Sequence, residues 1–119
     1  MPLSAWLAAP ALLLTITASA AQALAPAAGP DAQRQAQLIR MVRQDCGSCH
    51  GIQLTGGLGP ALTRQTMADI PTNSLVATIY HGRPGTPMPG WKTMLSETDA
   101  TWIAQQLQIG FPLEQRARP

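Results

Sequence analysis

Charged side chains are scarce in this chain of 119 residues: eight Lys or Arg and six Asp or Glu make up 12% of it, for a formal net charge of +2. Nucleic-acid-binding proteins usually carry a clustered basic stripe, and the basic residues here are few and scattered. We therefore expect no nucleic-acid partner. So small a charge gives only a weak preference for an acidic protein surface.

The chain also lacks any charged side chain before Asp31. Its first 20 residues are rich in Ala and Leu, and residues 18–20 and 21–23 both fit an A-x-A cleavage pattern, so we predict a cleaved signal peptide over 1–23 and a periplasmic protein. The missing basic residues near the start depart from the usual signal. An uncleaved anchor is the alternative, since about 20 apolar residues can span a bilayer. Pro10 opposes it, and we expect no stable membrane insertion.

Neither internal repeats nor a two-residue alternation of polar and apolar side chains occurs, so no sheet is predicted. Helical spacing is present over 31–46, 72–82 and 95–110. In the last segment, Ser96 followed by Asp99 is an acidic variant of the capping box. We predict an all-α fold of three to four helices joined by long loops.

The predicted organisation is a flexible spacer at 24–33, one domain at 34–112 and a tail at 113–119. Glycines and prolines predict long loops at 50–62 and 83–91. A domain of about 80 residues usually needs a disulfide, a metal or a cofactor. Long loops in so small a domain are consistent with wrapping around a bulky group.

Cysteine is scarce as well: only Cys46 and Cys49 occur, in "CGSCH" with His50 directly after them. A disulfide between them would close too short a loop to add much stability. A redox dithiol needs its first thiol at the start of a helix after a strand, whereas Cys46 ends a predicted helix. Zinc needs four ligands, and the candidates are the two cysteines, His50 and His81. The adjacent Cys49 and His50 cannot easily both bind one tetrahedral ion together with Cys46. The remaining interpretation is covalent haem c, with two thioethers and His50 on the iron.

The second axial ligand has four candidates: Met67, Met88, Met94 and His81. Met67 and Met94 are expected in the core, where methionine usually packs. Met88 lies between two prolines in a stiff loop that can hold a thioether toward iron, with His81 the main competitor. A His/Met pair would fill both axial positions, which favours electron transfer over catalysis.

Three further residues are candidates for contacts around the haem. The Pro60 carbonyl can accept a hydrogen bond from His50, although an ordinary loop turn is an equal alternative. The indole N–H of Trp91 could reach a haem propionate. Arg83 could pair with a propionate or simply be exposed, and Trp102 is expected in the core.

In chain order, "CGSCH", "GPAL", a Met in a Pro-rich loop and "LSETDATWIAQQL" resemble the class I cytochromes c over residues 35–112. The stretch "HGRPGTPMPGW" is similar to the NirC-type monohaem cytochromes encoded in nitrite-reductase gene clusters. The resemblance implies one haem attached through Cys46 and Cys49, with His50 and Met88 as its axial ligands.

The resemblance also implies a periplasmic protein of denitrifying bacteria. It would pass electrons to the nitrite reductase that carries haems c and d, or assist maturation of that enzyme's d-type haem. We expect a monomeric electron carrier and not an enzyme. A peroxidase, for which Met88 would have to dissociate, is the third alternative.

Overall fold

The computed structural model describes residues 29–112, and this range contains helices and loops but no strand. The predicted signal peptide at 1–23, the first half of the spacer (24–28) and the tail at 113–119 lie outside the described residues. Residues 29–112 form five α-helices, and a π-helical segment, Val42–Cys46, follows the first of them. These are α1 (Ala32–Met41), α2 (Gly47–His50), α3 (Arg64–Met67), α4 (Thr72–His81) and α5 (Glu97–Ile109). The all-α prediction is confirmed.

The first helix begins two residues before the predicted end of the spacer at residue 33. The Asp31 carboxylate accepts a hydrogen bond from the Arg34 backbone N–H at 2.7 Å, which satisfies one of the free donors of the first turn. Helix α1 therefore starts at Ala32.

The single helix predicted over 31–46 is instead interrupted by the π-helical segment and continues as α2. A π-turn contains one more residue than an α-turn and is often found near functional sites. Leu38 in α1 and Val42 at the start of the π-helical segment are both fully buried. The helix therefore packs through this face while its C-terminal end carries "CGSCH".

The core is formed by buried residues of α1, the π-helical segment, α3, α4 and α5, and α5 packs against both α3 and α4. Met67 is buried there, as predicted, and Trp102 packs against its edge. Met94 is 56% exposed, so its predicted core position was wrong: it occupies a turn in which the next residue, Leu95, points inward. In the part of the chain described, no helix has the length and apolar character needed to cross a membrane.

The predicted capping box at the start of α5 is confirmed, with Ser96 and Asp99 each bonding the other's backbone N–H. Asp99 is also paired with Arg34 of α1 at 2.8 Å. Hydrogen bonding from this guanidinium lowers the pKa of the Asp99 carboxyl below its usual value. One carboxylate thus caps α5 and joins it to α1.

Candidate haem-binding site

Both cysteines and the histidine of "CGSCH" lie within about one and a half turns of helix, from the end of the π-helical segment to the end of α2. Neither cysteine is in a disulfide. Cys49 is exposed, and Cys46 is half-buried against the core. Between them, a Cβ on Gly47 would lie 3.3 Å from Cα of Ile52, so this turn packs closely on the loop that follows. The two thiols therefore project from one compact turn.

The raised pKa of the Cys46 thiol argues against a redox-dithiol function. Burial, and to a smaller extent the nearby Asp45 carboxylate, raises the pKa of the Cys46 thiol to about 11 from an ordinary 9.0. A reactive dithiol needs a lowered thiol pKa, because the thiolate is the nucleophile. The environment of Cys46 has the opposite effect.

The His50 imidazole is 8% exposed and has a fixed orientation. Its Nδ1 lies 2.7 Å from the Pro60 carbonyl oxygen. A carbonyl can only accept, so Nδ1 carries the proton in this contact and the neutral ring leaves the lone pair on Nε2. The expected contact between His50 and Pro60 is thus present in the structure.

The loop after His50 wraps around the ring through its glycines. A Cβ on Gly59 would lie 2.7 Å from the His50 Cε1, closer than atoms can approach without a shift. The Gly56 N–H donates to the His50 carbonyl and the Gly59 N–H to the Cys49 carbonyl, each at 2.8 Å. These bonds hold the Pro60 carbonyl where Nδ1 meets it.

These donors fit a c-type haem. Two free thiols at the required spacing precede a buried imidazole whose Nδ1 is occupied. Its Nε2 makes no hydrogen bond within the described residues. Imidazole nitrogen is a common iron ligand, and a hydrogen bond from its other nitrogen is the usual way of orienting it. Cys46, Cys49 and His50 are therefore suited to hold the group.

The segment 82–90, which we call the Met88 loop, begins after α4 and ends beside the last residues of that helix. The Met88 backbone N–H donates to Thr86 Oγ1 at 3.3 Å, and its carbonyl accepts from the Arg83 N–H at 3.2 Å. The two ends of the loop meet at glycines: a Cβ on Gly82 would lie 2.6 Å from the Gly90 nitrogen. Met88 is half-buried within this closed loop.

The other predicted residues near this loop differ in their surroundings. Trp91 is half-buried against the core, and its backbone N–H donates to the Ile79 carbonyl at 3.0 Å. Arg83 is exposed, and so is His81, which ends α4 with its ring edge-on to Tyr80. Among the hydrogen bonds of residues 29–112, none joins the Met88 loop to His50.

A groove of about 430 Å³ lies away from the cysteines, between the outward faces of α4 and α5. Tyr80, His81 and Glu97 are among its lining residues, whereas Cys46, His50 and Met88 are not. The groove is therefore separate from the candidate haem ligands.

Two structural features of this site were not predicted from the sequence. The contact between Gly82 and Gly90 closes the Met88 loop, and the symmetric placement of glycines around the Pro-rich stretch was the available signal. Arg43, just before "CGSCH", is buried although it is charged. The polar residues that follow it, Gln44 and Asp45, are exposed, and its place in the helical pattern gave no indication of this burial.

Comparison with known proteins agrees with this site. The family model described as cytochrome c oxidase, cbb3-type, subunit III matches residues 30–106. Cytochrome c55X of Stutzerimonas stutzeri is 56% identical over 89 residues, which is 75% of this chain and 79% of that protein. A solved structure of the c-type cytochrome NirC has a TM-score of 0.66 and 57% identity, and the match covers 67% of this chain and 94% of that one.

A larger protein contains a similar segment. The dihydro-heme d1 dehydrogenase of Pseudomonas aeruginosa is 32% identical over 74 residues, or 62% of this chain but only 15% of that protein. The family match implies haem c as cofactor and electron transport as the general kind of function. The chain therefore belongs to the cytochrome c family, in which it is similar to the cytochromes c55X and NirC.

Proposed function

We propose that the protein is a periplasmic carrier of single electrons that holds one haem c and donates to a nitrite reductase carrying haems c and d. The observation that carries this proposal is the buried His50 imidazole, whose Nδ1 is bonded to the Pro60 carbonyl directly after two free cysteines. When bound, the haem supplies a reversible one-electron couple between ferric and ferrous iron.

Each proposed residue has a separate role toward that group. Cys46 and Cys49 would hold the haem through two thioethers, and His50 would be one protein ligand of its iron. The Pro60 carbonyl, 2.7 Å from Nδ1, fixes the ring and raises the basicity of Nε2. Met88 would be the second protein ligand of the iron, and its thioether would favour the ferrous state. Two protein ligands would leave no position on the iron for a substrate.

The Met88 loop supports this assignment through its rigidity. Its two ends meet at Gly82 and Gly90, and its interior is held by the backbone bond between Arg83 and Met88. A ligand in a preformed loop loses little conformational entropy on binding. Trp91 and Arg83, at the two ends of the same loop, are the proposed contacts of the haem propionates.

The proposed location and partner rest on the predicted signal peptide over 1–23 and on the similarity to NirC. The net charge of +2 is too small to dominate docking, so recognition of the reductase would depend on local shape and polarity. We expect the exported protein to act as a monomer.

Covalent haem is tested by producing the full chain with a c-type maturation system and recording its pyridine haemochrome spectrum. We expect the spectrum of a haem with two thioethers, and its absence would end the proposal. Met88→Ala should abolish the weak red-region absorption of ferric Met-ligated haem, whereas Met94→Ala, which changes an exposed methionine, should retain it. Survival of the band in Met88→Ala would assign the ligand elsewhere.

The partner is tested by stopped-flow mixing of the reduced protein with purified nitrite reductase. We expect rapid, second-order oxidation of the carrier that changes little as salt is added, because the net charge is small. If oxidation is slow while deletion of the gene removes d-type haem from the reductase, the protein acts in maturation instead. Ready binding of CO at neutral pH would indicate an open axial position and an enzyme such as a peroxidase.

A further inference from the structure

Arg43 is a buried cation located just before the haem-binding motif. It lies in the π-helical segment and is 7% exposed. Its Nη2 donates to the Pro112 carbonyl at 2.6 Å and its Nη1 to the Ile52 carbonyl at 3.3 Å. The guanidinium carbon lies 5.5 Å from the centre of the Phe111 ring. One side chain therefore contacts two separate parts of the chain, the loop after His50 and the segment after α5.

The charge of Arg43 is not neutralised by a nearby carboxylate within residues 29–112, where the one ion pair is Arg34 with Asp99. Its Nε is buried and has no hydrogen-bond partner there. Burying an unpaired cation is costly. The two carbonyl dipoles and the aromatic face of Phe111 offset part of that cost. The positive charge is thus retained inside the protein.

The contacts of Arg43 enclose the segment that carries the haem ligands. Arg43 precedes Cys46 by three residues, and the carbonyl of Ile52 follows His50 by two. The backbone of Ile52 also packs on Gly47 inside the motif. The Arg43 side chain therefore joins the two ends of this short segment to each other and to the chain that follows α5.

We propose that Arg43 is a positioning residue: it holds Cys46–His50 against the segment after α5, and its buried charge favours ferrous over ferric haem. The inference rests on the proposed function and deepens it. Ferric haem carries one more positive charge than ferrous haem, so a cation in a weakly polarisable interior disfavours the oxidised state. Removing that cation should lower the reduction potential.

The electrostatic part is tested by measuring the midpoint potential of full-length holoproteins carrying Arg43→Met or Arg40→Met. Arg40 is an exposed cation on α1, so its loss should be screened by solvent. We expect Arg43→Met to lower the equilibrium ratio of ferrous to ferric haem about tenfold, which is a fall of about 59 mV in the midpoint potential for one electron. Arg43→Gln, which retains a donor for one carbonyl, is the second neutral variant. Equal potentials in the Arg43 and Arg40 variants would overturn the inference.

The positioning part is tested with Arg43→Lys. Lysine keeps the charge but presents a single ammonium and lacks the guanidinium fork. We expect a potential close to that of the unsubstituted protein and a melting temperature several degrees lower. An unchanged melting temperature would remove the positioning role.

The haemochrome spectrum of the unsubstituted protein distinguishes failure of this inference from failure of the proposed function, and it is recorded first. A missing haem would refute the proposed function. A normal haem, with variants whose potential and melting temperature do not change, would refute only this inference.

Discussion

At the scale of single residues, one missing Cβ makes room for the candidate iron ligand. The His50 ring lies against Gly59, where any side chain would meet Cε1 and Nδ1 within 3 Å. The same approach brings the Pro60 carbonyl to Nδ1. A glycine in this loop is therefore required by the position of the imidazole and not only by the turn.

We expect Gly59→Ala to displace the His50 ring and break its bond to Pro60. Because the imidazole orientation depends on that bond, the variant should bind less haem per chain and melt several degrees lower. The haem-to-protein ratio and a thermal melt measure this. Leu58→Ala, which changes a neighbouring side chain that is 95% exposed, is the control. Wild-type haem content in Gly59→Ala would contradict the packing argument.

At the scale of elements, the start of α5 depends on one carboxylate with two functions. Asp99 completes the capping box with Ser96 and pairs with Arg34 of α1. Its pKa is lowered chiefly by the hydrogen bond from Arg34, so the folded state favours the ionised form. The stability that this gives is present above the ordinary Asp pKa near 3.9 and is lost as pH falls through the lowered value.

Asp99→Asn should therefore reduce the unfolding free energy by about 1 kcal/mol at neutral pH. It should also remove part of the fall in stability that the unsubstituted protein shows below about pH 4. Urea titrations at several pH values measure both effects. Glu97→Gln, an exposed acid in the same turn, is the control. If the two variants have the same acid dependence, the pair with Arg34 contributes nothing.

A second prediction at the scale of elements concerns the contact that closes the Met88 loop. A Cβ on Gly90 would lie 2.7 Å from the His81 carbonyl carbon and oxygen, so Gly90→Ala must open the loop where its ends meet. We expect weaker red-region absorption and a lower melting temperature. Gly85→Ala tests backbone strain alone, because Gly85 has a φ of +76° but no atom within 4 Å of its added Cβ. Equal spectra in both variants would mean that closure does not position Met88.

The elements that could be predicted from the sequence are those that local patterns determine. Apolar spacing and caps place α4 and α5 within a residue or two of their observed ends. The π-helical segment, the single turn of α3, the exposure of Met94 and the burial of Arg43 depend on contacts between distant parts of the chain. Arg43 is buried against Phe111 and Pro112, about seventy residues later in the chain, and no periodic pattern in the sequence indicates such a contact.

At the scale of the whole molecule, the apolar core is small and made mainly by three helices. Domains of this size commonly need a cofactor or cross-link for stability. The loops around His50 and Met88 are held by backbone bonds and glycine contacts more than by apolar side chains. Bound haem should therefore supply much of the stability.

A full chain with Cys46→Ala and Cys49→Ala, which cannot attach haem, should melt at a lower temperature and over a broader range than the holoprotein. Circular dichroism melts measure this. The unsubstituted chain made without a maturation system is the matched control and should melt like the double variant, since neither has the thioethers. A melt equal to that of the holoprotein would show that the polypeptide folds without its cofactor.

The π-helical segment sets the direction of the His50 side chain relative to the buried face of α1. One extra residue in a turn rotates everything after it by about 100° relative to a continuous α-helix. In a continuous α-helix the twelve-residue separation of Leu38 and His50 would place the two side chains about 120° apart around the axis. The surplus residue removes about 100° of this angle, so His50 lies close to the face that α1 buries through Leu38. If the same residues wound as a regular α-helix, the imidazole would be rotated by about 100°, away from the Pro60 carbonyl. The π-turn thus brings the candidate ligand and the core contact onto one side of the helix.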